Sequence, residues 1–265
     1  PLAKLGIVNI YINQNNFFNK NNLNIDEVVI HEANFSLLKD DFKELSANTK
    51  NKFSNKKIKI NNSNIFLKDN LSEVSSIIKI SNAVLFFDEK KLLNLIDLRG
   101  SVFNIPFSID YQHTLNSKNS KRIEIVADNL RLKIINESFK LDENLTTGTN
   151  NISILNSTIN TKYNALNEVI TFESGNSRMQ NSKINYNGRL AINPFDLDLK
   201  IDLDNYKVSN LFISNSIINE FIKSKLLFNK NISGKALINI RSRIKDEIFN
   251  SAKIKLNILN GKINF

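Results

Sequence analysis

Residues 187–206 read NGRLAINPFDLDLKIDLDNY, and the second half of this stretch alternates almost without error. Phe195, Leu197, Leu199, Ile201 and Leu203 fall on odd positions, with Asp196, Asp198, Lys200, Asp202 and Asp204 between them. Successive side chains of an extended chain point to opposite sides, so the pattern predicts a strand with one apolar and one charged face. A charged face is stable against water. An apolar face has to be covered, and what covers it decides both fold and function.

The same period of two recurs along the chain. Phe103, Ile105, Phe107, Ile109 and Tyr111 form one run, interrupted by Pro106, which suits an edge or irregular strand. Ile123, Ile125 and Ala127 form another, and Leu130, Leu132 and Ile134 follow after a one-residue change of phase. Ile232, Gly234, Ala236, Ile238 and Ile240 make a further run, and Ile254, Leu256 and Ile258 the last long one. Val28–Ile30, Ile58–Ile60 and Ile65–Leu67 read as shorter strands separated by Asn-rich turns. A pattern of Asn, Ser or Gly, any residue, then Ile appears as NSNI (62–65), NSTI (156–159), NSKI (181–184), NSII (215–218) and NGKI (260–263). It reads equally well as the turn chemistry of an Asn-rich β protein or as the mark of stacked, similar β units.

Helical signals are few. Ser216–Phe228 places Ile218, Phe221, Ile222 and Leu226 on one face, and 41–53 carries a capping-box spacing at Asp41 and Glu44. Two short helices cannot cover the apolar faces of a dozen or so strands. The sequence therefore predicts a mainly β chain over 1–265 with one or two short helices, whose apolar faces pack on each other or on something that is not this chain. No internal domain boundary is legible.

Composition narrows the partners. The net charge is +10, but 29 Lys stand against 7 Arg, together with 46 Asn and 37 Ile, as an A+T-rich coding sequence produces. The lysines are scattered over polar faces, and phosphate recognition favours the forked guanidinium of Arg, so no nucleic acid is expected as a partner. With no cysteine there is no disulfide framework, thiolate metal site or cysteine nucleophile. No window approaches the roughly 20 apolar residues of a membrane-spanning helix. His31 and His113 have no metal-type partner at helical or hairpin spacing and read as surface or strand-end residues. Carboxylates on one face of a strand stand parallel, about 6.5 Å apart, and do not converge on a cation. There is neither a phosphate-binding glycine loop nor a nucleophile elbow. The expectation is a protein that is not an enzyme and needs no cofactor or metal.

Residues 181–206, NSKINYNGRLAINPFDLDLKIDLDNY, resemble the AsmA-like proteins of Gram-negative bacteria, whose relatives include TamB and YhdP. The likeness rests on Gly188, Leu190, Ile192, Pro194, Phe195 and Leu197. The tail 232–265, with Gly234 and the Asn260-Gly261 turn, and the stretches 58–69 and 98–111 share its style. The resemblance implies a periplasmic β-rich body, a long curved antiparallel sheet whose apolar side forms a groove, held to the inner membrane by an N-terminal anchor upstream of this chain. It also implies a role in lipid transfer that supports outer-membrane biogenesis, with an apolar groove shielding phospholipid or other acyl lipid and with possible envelope protein partners. The groove residues expected on this reading are Phe195, Leu197, Leu199, Ile201, Leu203, Phe103, Ile105, Phe107, Ile109, Ile254, Leu256 and Ile258. The alternative is a structural or adhesive β-sandwich or solenoid with a closed core.

Overall fold

The computed structural model describes residues 3–13, 24–38, 41, 51–68, 73–115, 119–142, 144–179, 182–192, 195–207, 233–242, 250–260 and 262–264. By its internal contacts the chain divides into two compact units, Pro1–Glu137 and Ser138–Phe265. No change of composition marks the division, because both halves are written in the same alternating, Asn-rich style.

The first unit contains β1 (Ala3–Lys4), β2 (Ile7–Ile12), β3 (Ile25–His31), β4 (Asn34–Leu38), β5 (Lys57–Lys68), β6 (Val74–Asp88), β7 (Leu93–Val102), β8 (Ile105–Thr114) and β9 (Ser120–Ala127). A short 3-10 turn, Asp128–Leu130, then leads into β10 (Leu132–Lys140), which runs across the division. The second unit contains β11 (Leu145–Ile154), β12 (Ser157–Leu166), β13 (Val169–Ser174), β14 (Ser177–Met179), β15 (Ser182–Ala191), β16 (Asp196–Asp204), β17 (Ser233–Arg241), β18 (Ser251–Leu259) and β19 (Lys262–Asn264). The mainly β reading holds. The helix candidate 216–228 lies outside the described residues, as do 42–50 of the candidate 41–53; residues 51–53 are not helical.

The expected antiparallel sheet is mixed instead. β3 and β4 pair in parallel with successive halves of β5, Lys57–Asn61 and Asn64–Lys68, and β17 runs parallel to β16. Parallel neighbours need a connection of a dozen or more residues. The stretches 39–56 and 205–232 supply that length, which alternation within a strand does not reveal.

The first unit keeps its apolar side continuous across three irregularities in line. Glu32 and Asn62 have φ of 57° and 46°, and the β6–β7 register slips between Ile80 and Asn82. Ile58 and Ile60 face Leu85 and Ala83; past the bulge, Ser63 and Ile65 face Ile80 and Ile78. One extra residue in each strand restores the phase that the bulge shifts. Residues 58–67 are thus one bulged strand, not two strands and a turn. Ser63 holds the irregularity: its buried hydroxyl accepts the Ala33 N–H (3.0 Å) and donates to the Asn61 carbonyl (2.8 Å).

Phe103 is not a strand residue. It forms, with Asn104, the two-residue turn between β7 and β8, both at positive φ (50° and 61°), and is 75% exposed. Pro106 does sit in an inner strand, but the ladder to β9 begins only at Ser108, so its missing N–H leaves no β9 partner unsatisfied.

The apolar face of the second unit

Register places the alternating runs in rows. In the second unit Ile184, Tyr186, Gly188 and Leu190 of β15 stand opposite Leu203, Ile201, Leu199 and Leu197 of β16. The same β16 residues pair in parallel with Ile240, Ile238, Ala236 and Gly234 of β17, which face Ala252, Ile254, Leu256 and Ile258 of β18. Seven expected groove residues, Leu197, Leu199, Ile201, Leu203, Ile254, Leu256 and Ile258, therefore share one face, linked by β17. Phe195 does not join them: it lies in the turn before β16 and is 38% exposed. Pro194 and Asn193, beside it, lie outside the described residues.

Sequence reasoning passed over Ile184, Tyr186 and Phe172, which lie on the same face. Their strands are diluted by Ser, Gly and Asn, so alternation is weak there. Gly188 shows why that dilution exists. A Cβ at this position would lie 2.6 Å from Cζ of Phe172 and 2.4 Å from the Asp198 carbonyl oxygen. The missing side chain gives the Phe172 ring its place, 6.3 Å from the tilted ring of Tyr186. The Tyr186 hydroxyl is satisfied by Thr161 Oγ1 (2.6 Å) and the Asn160 carbonyl (3.2 Å).

The face is not uniform along the strands. At one end Ile184, Leu203, Ile238 and Ile240 are buried, Ile240 to 1% exposure, and Met179, Tyr206 and Ala252 pack against them. Burial raises the pKa of the Tyr206 hydroxyl above its ordinary value. Towards the other end Leu190, Leu197, Leu199, Leu256 and Ile258 are only half-buried. Among the described residues of the unit no second sheet lies over them.

The opposite face is polar. Arg189 stands across from Asp198 and Lys183 from Asp204, and Asn239 donates to Asp202 (2.7 Å). Asp198, Asp202 and Asp204 of the opening stretch therefore have basic or amide neighbours across the ladder, while Asp196 stands between Ala191 and Ser233. Among the described residues no group of three or more His, Asp or Glu side chains is placed to hold a metal. A hollow of about 600 Å³ opens on this polar side, lined by Lys162, Glu173, Arg189, Asp198 and Lys200 among others. Its charges are mixed and favour neither anion nor cation.

The first unit carries an apolar face of its own. Ile105, Phe107 and Ile109 of β8 stand opposite Val102, Gly100 and Leu98 of β7, and Ile109 faces Ile125 of β9. This face ends in polar residues: Asn94 of β7 pairs with His113, which pairs with Lys121. His113 lies at the end of β8, as the strand-end reading had it, but is buried and not at the surface, with Nε2 2.5 Å from Asn119 Oδ1. Asn94 accepts the Phe53 N–H (2.9 Å) and donates to the Asn51 carbonyl (2.7 Å). Its polar side holds an ion network in which Glu124 meets Lys133 (2.7 Å) and Arg122 (2.5 Å), and Arg122 also meets Glu137 (3.1 Å). Hydrogen bonds from Lys133 and then Arg122 hold the Glu124 carboxyl below the usual carboxylate range.

No protein-family model matches the chain, and neither a curated protein nor a solved structure was found to be similar to it. Among the described residues no helix is long and apolar enough to cross a membrane.

Proposed function

We propose that the chain is a non-enzymatic lipid-handling module of the AsmA-like kind. In this reading it works in the periplasm of a Gram-negative envelope and is held to the inner membrane by a segment outside this sequence. The observation that supports it is the half-buried row of Leu197, Leu199, Leu256 and Ile258, an apolar face with no second sheet over it among the described residues. An acyl chain laid along that row removes apolar surface from water at about 25 cal/mol per Å². Strands offer a tail no polar clamp, so the chain slides between equivalent positions while its head group stays near solvent.

Native mass spectrometry of the purified chain, with lipid extraction from the same sample, tests this. Co-purifying phospholipid, removable without loss of the β circular dichroism signal, is the expected result. A lipid-free mass for a stable protein overturns the proposal. Leu199→Asp sharpens the test: the variant is expected to fold and to lose most of its acyl binding. Unchanged binding removes Leu199 from the lipid face.

A second reading, a structural module with a closed core, draws on the buried quartet Ile184, Leu203, Ile238 and Ile240. It predicts that Leu199→Asp unfolds the unit, since an unpaired charge would then enter a dry core.

A further inference from the structure

The two ends of the strands in the second unit differ. At one rim lie the turns β10–β11, β12–β13, β15–β16 and β18–β19. Register fixes their alignment: Leu145 stands opposite Leu166, Val169 opposite Ala191, Ala191 opposite Asp196 and Leu259 opposite Lys262. The turns are also tied to each other, Asn167 N–H to the Asn144 carbonyl (3.3 Å) and Ile192 N–H to the Glu168 carbonyl (2.9 Å). Each of these four turns carries an exposed aliphatic residue: Leu141 (60%), Leu166 (52%), Ile192 (55%) and Leu259 (64%). At the opposite rim, among the described residues, exposed large apolar side chains occur only at Ile154 and Leu155. The rest of that rim shows Gly175, Asn176, Asn205, Asn250 and Ser251.

The same rim is the one towards which the apolar face opens, since the buried quartet lies at the other end of the strands. Two independent features, the apolar tips and the loss of burial, thus point to one edge. From these we infer that the rim of Leu141, Leu166, Ile192 and Leu259 is a bilayer-docking edge, which inserts its aliphatic tips among the lipids of a zwitterionic membrane. The inference rests on the lipid-handling reading and extends it, because it names where lipid enters or leaves the face.

A bilayer fits this edge better than a protein does. Turns two or three strands apart are separated by about 10–15 Å, with polar residues between the tips. A fluid apolar solvent accepts such a broken row, whereas a protein would need a matching pocket for every tip. Charge fits as well. Among the described residues the exposed ions of these turns are Lys140 and Lys262 against Asp142, Glu168 and Asp196, and the sequence adds one more acid, Glu143, between β10 and β11. The turns carry no excess of cations, so docking proceeds by apolar insertion and needs no anionic lipid.

The test is flotation of the chain with phosphatidylcholine vesicles. The combined variant Leu166→Asn, Ile192→Asn and Leu259→Asn alters only residues more than half exposed. It is expected to keep its thermal unfolding profile and lose flotation at least about tenfold, whereas Leu155→Asn on the other rim floats as the parent does. Flotation is expected to persist in high salt. A parent chain that stays with the unbound fraction, a triple variant that floats normally, or flotation abolished by salt overturns the inference. So does self-association that the triple variant removes in place of vesicle binding, which would make the rim a contact between copies. A monomeric fluorescent acyl probe separates the two proposals. Flotation by a parent that binds no probe upholds the docking edge and overturns the lipid-handling reading. A triple variant that binds probe but does not float upholds both.

Discussion

The strands β15–β18 and β3–β6 build the same thing, a sheet with one apolar side, by opposite means. Across β15–β18 parity is unbroken: every residue of β16 from Asp196 to Asp204 has a partner on β15 and on β17, with no slip in register. In the first unit parity fails along a line from Glu32 through Asn62 to the slip beside Asn82, and the apolar residues change phase with it. The difference teaches that a one-sided sheet needs its side chains in phase with neighbouring strands, not with an ideal strand. A regular region depends on packing at its buried end. A bulged region depends on the polar groups that hold each extra residue.

That contrast can be broken at either end. The largest effect is expected at the buried end of the regular region. Ile240→Ala removes a fully buried side chain whose neighbours Leu203, Ile238 and Ala252 are fixed by the ladder. It should destabilise the protein by about 2–5 kcal/mol in urea unfolding. A loss below about 1 kcal/mol would mean that packing at this end is loose. Ser63→Ala is expected to cost less, about 1–3 kcal/mol, because the buried Ala33 N–H loses its acceptor. Hydrogen exchange sharpens the comparison: faster exchange at Ala33 and Asn64 without change in β15–β18 is the expected outcome, and uniform acceleration contradicts it.

The smallest effect concerns pH. Glu124 has a lowered carboxyl pKa in the folded protein, chiefly through its hydrogen bond from Lys133. Its contribution is present above the unfolded carboxylate pKa and is lost as pH falls through the lowered folded value. Because the partners are partly exposed, the contribution is under about 1 kcal/mol. Comparing the acid limb of the stability curve for the parent and Glu124→Gln measures it. An unchanged limb shows that the network adds nothing.

Legibility in the sequence followed the same contrast. The strands β16, β17 and β18 were readable because Leu197–Leu203, Gly234–Ile240 and Ile254–Ile258 alternate without interruption, and seven expected face residues met there. Phe103 and Phe195 were misplaced because each continues the odd-position rhythm one step into a turn. At Phe103 the positive φ needed by the tight turn falls on a bulky residue instead of the usual Asn or Gly, so no turn signal was visible. The bulge at Asn62 looked like a turn because Asn-Asn-Ser serves both purposes. The Asn-Ser pattern itself acquires a physical meaning. At 156–159, 181–184 and 260–263 it precedes or opens a strand, and Ser63 and Ser182 use their hydroxyls on backbone carbonyls at the irregularities. Ser177, after Asn176, does the same between the N–H and carbonyl of Asn160. The parallel pairings stayed hidden because they are relations between strands distant in sequence.

The parallel pairing of β16 with β17 also sets an order of assembly. Hairpin β15–β16 can close as soon as Asp204 has been synthesised, but its outer edge stays unpaired until the chain has passed through 205–232 and delivered β17. Over that interval Leu197–Leu203 presents an apolar, hydrogen-bond-hungry edge to whatever is nearby. Closing a pair across so long a loop is slow, and the exposed edge is the part of a nascent chain most open to misassociation. The residues proposed to shelter a hydrophobic guest are thus also those for which refolding should be most sensitive to protein concentration.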